Sequence, residues 1–149
     1  MGLHVFYALR FWVKREEASL ENPRPSVVHV VDDDEAVRDS TRALLESYGI
    51  EVRDYPSAGD FLAAGQAAGY GCVLLDLHMP GMGGVELLET LQDQGSQLSV
   101  IAITGRSDPV LKERTLRAGA VMLLDKPVSD EHLLDSLAQA LLLAEARSR

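Results

Sequence analysis

Val27-Val28-His29-Val30-Val31-Asp32-Asp33-Asp34 is the stretch on which the fold turns. Its first five residues are apolar and β-branched except for His29, without the alternation of a half-exposed strand. Such a run, too short for a helix, reads as a strand buried on both faces. It then breaks abruptly into three acids. Cys72-Val73-Leu74-Leu75 repeats the pattern and ends at Asp76. Val100-Ile101-Ala102-Ile103 repeats it again and ends at Thr104, and residues 120–124 do so before Lys126. Residues 52–55 make a weaker fifth run. Helical spacing fills the intervals: Val37, Leu44, Leu45 and Tyr48; then Val85, Leu87, Leu88 and Leu91. Ser57-Ala58-Gly59-Asp60 has the outline of a capping box, with Asp where Glu or Gln is usual. Asp108-Pro109 supplies a cap and a first-turn proline. Leu133, Leu134, Leu137 and Leu141 line one face of a last helix starting near Ser129. Strand and helix alternate five times, which predicts an α/β fold with a parallel sheet.

The composition sets the bounds. The chain has 149 residues, 46% hydrophobic and 25% charged, the profile of one globular domain. Cys72 is its single cysteine, so there is no intrachain disulfide and no CxxC pair. The formal charge of −9 disfavours non-specific nucleic-acid binding and attraction to an anionic membrane. No apolar run approaches the roughly 20 residues of a membrane helix. Residues 1–25 differ from the rest: they hold Phe6, Tyr7, Phe11 and Trp12 and carry +1. Asn22-Pro23-Arg24-Pro25 reads as a linker. The segment is expected to be a non-essential extension, with a docking helix, an expression remnant and a mis-assigned start all left open. The folded domain is expected over 26–144, with a tail at 145–149.

In an open parallel sheet, ligands bind outside the carboxyl ends of the strands. That rule gathers Asp32, Asp33, Asp76, Thr104 and Lys126 at one sheet edge, although they are far apart in sequence. Three carboxylates packed together repel unless a cation or a proton joins them. An all-oxygen donor set favours a hard ion such as Mg²⁺. A carboxylate is also a nucleophile toward phosphorus, and a Lys ammonium and a Thr hydroxyl stabilise charge on a transferring phosphoryl group. The set therefore reads as an aspartyl-phosphate site.

Each member taken alone has a blander reading. Acids at 32–35 favour a helix N-terminus, Lys126 alone would be a solvated lysine, and Thr104 an ordinary strand-end residue. Gly81-Met82-Gly83-Gly84 lacks the lysine of a phosphate-cradling loop. The histidines show no HxxxH spacing, so zinc is not expected. His29 reads as a packed strand residue, His132 as exposed, and Cys72 as a small packed hydrophobe.

Taken together, the residues carry a resemblance. Val30-Val31-Asp32-Asp33-Asp34, residues 75–84 from Leu75-Asp76 to Gly83-Gly84, Ile103-Thr104-Gly105 and Asp125-Lys126-Pro127 resemble, in this order and spacing, a receiver domain of the bacterial two-component response regulators, of the FixJ type. The resemblance covers 27–144. It implies a flavodoxin-like (βα)5 doubly wound sheet with strand order 2-1-3-4-5, working in the cytoplasm. It implies that Asp76 is the phosphoacceptor and that Mg²⁺ is held by Asp33 directly, by Asp32 partly through water, by Asp76 and by the backbone carbonyl of His78. Thr104 would bind the phosphoryl group and report it, and Lys126 would pair with a phosphoryl oxygen beside a cis bond to Pro127. The implied partner is a sensor histidine kinase or a histidine phosphotransfer protein. The implied output face is the fourth helix, fifth strand and fifth helix, roughly residues 108–144, which would bind a partner or a second copy. One departure stands out: Leu123 occupies the switch position where the family usually carries Tyr or Phe. His78 and Arg106 stand where the family tunes dephosphorylation.

The chain shows no helix-turn-helix after Ala144, so direct nucleic-acid contact is not expected of it. A stand-alone receiver is the preferred expectation; a FixJ-type transcription factor's receiver portion is the alternative. Two rivals come from other classes. A phosphatase of the haloacid-dehalogenase type would use Asp32-Asp33-Asp34 as its DxD, leaving Asp76 unexplained. A non-phosphorylating flavodoxin-like interaction module has Leu123 in its favour and the complete acid–Thr–Lys set against it.

Overall fold

The structure is a computed structural model, which describes residues 27–147. The expected extension at 1–25 lies outside the described residues. Five strands alternate with five helices: β1 (Val27–Val31), α1 (Glu35–Glu46), β2 (Val52–Tyr55), α2 (Ala58–Ala63), β3 (Gly71–Asp76), α3 (Gly84–Asp93), β4 (Ser99–Thr104), α4 (Pro109–Arg117), β5 (Met122–Asp125) and α5 (Asp130–Arg147). A 3-10 turn at Gln66–Ala68 follows α2. All pairings are parallel and the order is β2-β1-β3-β4-β5, as the resemblance implied.

The period-two geometry of a strand sorts the core into two layers. Val28, Val30, Cys72, Leu74 and Ile101 face α1 and α5, where Leu45, Leu137 and Leu141 are fully buried. Val31, Val73, Leu75, Val100 and Ala102 face the opposite way, against Phe61 of α2 and Leu87 and Leu88 of α3. Helices on both faces leave β1 and β3 buried at every residue, which is why their sequences run apolar without alternation. Cys72 lies inside this core with no exposure, and burial pushes its thiol well above the ordinary range. It is a packing residue.

The caps follow local chemistry. Asp108 Oδ1 accepts from Leu111 N at 2.8 Å, ahead of Pro109 in the first turn of α4. Ser129 Oγ accepts from His132 N at 3.1 Å and starts α5. Ser57 Oγ accepts from Asp60 N at 3.0 Å, but the return bond of a capping box is absent: Ser57 Oγ donates instead to Asp60 Oδ2. Aspartate is one methylene shorter than the glutamate that completes a box.

Two boundaries differ from the sequence reading. The last strand begins at Met122, not Ala120, because Ala120 N–H donates to Thr115 O and closes α4. The last helix runs to Arg147, so residues 145–147 extend it where a tail was expected. Among the described residues no helix is long and apolar enough to cross a membrane.

Chain direction reverses about β1: the chain leaves it outward to β2, then returns to the other side at β3. The crevice at the carboxyl ends of β1 and β3 is where such folds place ligands. Gly84 closes one wall. A Cβ there would lie 2.7 Å from Leu77 Cα and 3.0 Å from Asp76 O, so only glycine lets α3 start against the end of β3.

Candidate functional site

The acid run after β1 divides into separate jobs. Asp34 is the N-cap of α1; its Oδ1 accepts from Ala36 N at 3.0 Å and from Val37 N at 3.3 Å. Its carboxylate is thus engaged by the helix, which removes the second acid from the DxD that a phosphatase reading would need. Asp32 and Asp33 turn instead toward Asp76. Carboxylate oxygens of the three lie within 4.8 Å of one another. Asp32 and Asp76 are buried and Asp33 is exposed, so one wall of the cluster opens to solvent.

Burial raises the Asp32 carboxyl above its ordinary range. The Asp34 N–H, donating to Asp32 Oδ1 at 2.9 Å, and the charge of Lys126 work against that rise, while Asp76 and Asp33 add to it. Burial and two neighbouring carboxylates thus both disfavour the charged form of Asp32. Three clustered carboxylate oxygen donors with an open side suit a hard divalent cation that keeps several waters, so Mg²⁺ fits the residues present.

The other expected residues converge on the same crevice. Asp76 ends β3, and its Oδ1 accepts from His78 N at 3.1 Å and lies 3.6 Å from Lys126 Nζ. Lys126 follows β5, with its N–H donating to Thr104 O at 2.8 Å and a cis bond to Pro127. That backbone bond ties the lysine to the end of β4. Thr104 ends β4 and is fully buried. Its Oγ1 accepts from Arg106 N at 3.1 Å and sits 2.6 Å from His78 Nε2. Leu123, paired with Ala102 across β4 and β5, is half-buried against the α2–α3–α4 side of the sheet. It has neither ring nor hydroxyl to offer Thr104.

The sequence reading missed two features. Arg38 on α1 donates from one guanidinium nitrogen to Asp32 O at 2.7 Å and from Nε to Asp54 Oδ2 at 3.1 Å. Arg42, one turn later, also pairs with Asp54, which holds that carboxyl below its usual range. Together they fasten the acid-bearing turn to the edge strand β2. The only hint was a pair of arginines four apart on the helix that follows the acids. The second feature is the contact of the His78 side chain with Thr104; the sequence had given His78 a metal-binding carbonyl and a position that tunes dephosphorylation, but no such partner.

A groove of about 630 Å³ opens beside Lys126 and Asp32. Val37, Thr41 and Leu44 of α1 form one wall, and Pro127, Val128 and Leu133 another.

Comparison with known proteins bears on the same residues. The family profile of the response regulator receiver domain matches residues 28–138. The transcriptional regulatory protein FixJ of Azorhizobium caulinodans is 40% identical over 119 residues, covering 80% of this chain and 56% of FixJ. The chain therefore spans little more than half of that relative. Among solved structures, the response regulator StyR superposes with a TM-score of 0.78 at 39% identity, covering 83% of this chain and 63% of StyR. A CheY-like receiver domain protein of Methanospirillum hungatei gives 0.74 at 32% identity, covering 81% of this chain and 97% of its own.

Proposed function

The chain belongs to the response regulator receiver domain family, and from that premise we propose that Asp76 accepts a phosphoryl group from a histidine kinase or histidine phosphotransfer protein. The observation that carries this reading is the Asp76 carboxylate, set 3.6 Å from Lys126 Nζ inside a cluster of three acids. Burying a carboxylate beside two others carries an electrostatic cost, because the charges repel. Asp76 makes sense as a nucleophile awaiting a positively charged environment.

Transfer follows from the geometry. An Asp76 carboxylate oxygen attacks phosphorus in line with the leaving group. The O–P bond forms as the P–N bond of the donor phosphohistidine breaks; its electron pair stays on the imidazole nitrogen, which takes a proton. Lys126 neutralises charge on a phosphoryl oxygen, and Thr104, at the adjacent strand end, can donate to another. Asp32, Asp33, Asp76 and the His78 carbonyl would hold Mg²⁺, which supplies the charge that the three carboxylates and the phosphoryl oxygens need. Water later attacks phosphorus, and the Asp76 carboxylate leaves. The groove between α1 and the β5–α5 junction gives a donor helix access beside Lys126.

The domain is a signalling module, and the acyl phosphate is its message. In this reading it works in the cytoplasm, and its output contact lies on the face of α4, β5 and α5. On α4, Leu116 stands 41% exposed on the side away from the α3–α4 groove. A second copy of the chain is the partner we assign to it. Contact with nucleic acid would belong to a longer protein of the FixJ kind.

The test is incubation with acetyl phosphate and Mg²⁺, read by intact mass. One phosphoryl group is expected on the wild type and none on Asp76→Asn. Label that persists in Asp76→Asn overturns the assignment. A wild type that takes no label and binds no beryllofluoride makes the domain a non-phosphorylating interaction module.

A further inference from the structure

The hydroxyl of Thr104 has one proton and two claimants. A threonine hydroxyl donates once and accepts through two lone pairs. Arg106 N–H already donates to Oγ1 at 3.1 Å. His78 Nε2 lies 2.6 Å from the same oxygen. Among the described residues, His78 Nε2 is the one acceptor within hydrogen-bond distance of this buried oxygen. The hydroxyl proton therefore goes to His78 Nε2, with the ring in the tautomer that leaves that nitrogen bare. In that arrangement the Thr104 proton is unavailable to a phosphoryl group on Asp76.

The surroundings sharpen the conflict. Thr104 is fully buried at the end of β4, so it has no water to fall back on. Leu123, at the position where an aromatic hydroxyl would stand, offers no acceptor. His78 is exposed on the loop between β3 and α3, anchored near Asp76 by its backbone N–H rather than by packing of its ring. The imidazole is the mobile partner and the threonine the fixed one.

We propose that His78 is a positioning residue that latches the Thr104 hydroxyl in the resting protein, and that loading Asp76 moves this hydrogen bond from His78 Nε2 to a phosphoryl oxygen. The freed imidazole then changes the surface of the β3–α3 loop, beside the exposed Met82. The conformational report of phosphorylation thus starts at His78 instead of at an aromatic ring on β5. The inference rests on the phosphoacceptor reading of Asp76 and adds the resting-state partner of Thr104.

The experiment is a titration with beryllofluoride and Mg²⁺, at one pH, of the wild type, His78→Phe, Thr104→Ala and the double variant. Breaking the latch costs one net hydrogen bond, so His78→Phe is expected to bind about two- to tenfold more tightly than wild type. The gain should vanish when Thr104 is already alanine. In parallel, the His78 Nε2 resonance of ¹⁵N-labelled wild type should shift on loading toward its value in Thr104→Ala, where loading leaves it unmoved. His78→Ala, which fills no space, repeats the comparison should the phenyl ring disturb the loop. Equal or weaker binding by both His78 variants overturns the latch, as does a gain that survives in the Thr104→Ala background. Normal wild-type loading with either result leaves the Asp76 reading intact. Failure of the wild type to bind beryllofluoride overturns that reading and the latch with it.

Discussion

Asp32, Asp33 and Asp34 are chemically the same residue in three different situations. Asp34 accepts two N–H groups at the start of α1. Asp32 is buried, with its carboxyl raised and its backbone oxygen held by Arg38. Asp33 stays exposed and completes the cluster with Asp76. The difference comes from where β1 ends: one residue later is a strand-end position, three residues later is a cap. Substitution should separate the roles. Asp34→Ala loses a cap and about 1 kcal/mol of stability while keeping Asp76 phosphorylation. Asp33→Ala should do the reverse, keeping the urea midpoint and losing Mg²⁺-dependent labelling. Labelling lost in Asp34→Ala at full stability would contradict this division. The acids were legible in the sequence as a site; which of them caps the helix was not, because three adjacent acids are equally good candidates and only the path of the turn after β1 chooses among them.

Between elements, the least expected contact is that of His29. It sits on the interior strand β1, 1% exposed, with its Nδ1 3.3 Å from the Tyr55 hydroxyl of β2 and its ring 5.3 Å from that of Phe61 on α2. Burial, aided by the charge of Arg53, lowers its pKa from 6.5 to about 4. The folded protein therefore refuses a proton that the unfolded chain accepts. Stability is full above about pH 6.5 and falls as the pH drops toward about 4. Urea unfolding at pH 5 should show about 2 kcal/mol less stability than at pH 7.5 from this residue. His29→Leu should flatten that interval. The raised Asp32 carboxyl acts in the opposite sense at the acid end, and Asp54, held low by Arg42, adds a loss below about pH 4. An unchanged slope in His29→Leu would remove His29 as its source. The packed strand histidine was foreseeable from its apolar neighbours, but its partners lie 26 and 32 residues away, beyond the reach of local pattern.

At the scale of the whole molecule, the sheet separates the strand ends that carry the acids from the α4–β5–α5 side proposed as the contact face. The carboxyl ends of the strands hold the acids, Thr104 and Lys126. On the side of α4 away from α3, Leu116 is an apolar residue that the fold leaves exposed in an acidic protein. Beryllofluoride-loaded protein is expected to sediment as a dimer and the resting protein as a monomer. Leu116→Asp should keep the loaded form monomeric. A loaded wild type that remains monomeric would take the second copy out of the scheme.

The sequence by itself determined the alternation of elements, the parallel sheet and which polar residues stand at the strand ends. Those rest on runs of apolar residues and on the residue that ends each run, both of which are local. It also placed Asp108, Ser57 and Ser129 at helix starts, since a cap depends on its next few neighbours. Tertiary structure alone decided what crosses between elements. It paired Arg38 and Arg42 with Asp54, set His78 against Thr104, and required glycine at position 84, where two backbones meet. It also moved the start of β5 from Ala120 to Met122, because the end of α4 competes for the Ala120 N–H. Strand-end chemistry can be read along the chain because each strand carries its own. Partner choice for a side chain cannot, because it depends on how far the packed helices and loops bring groups that the chain keeps apart.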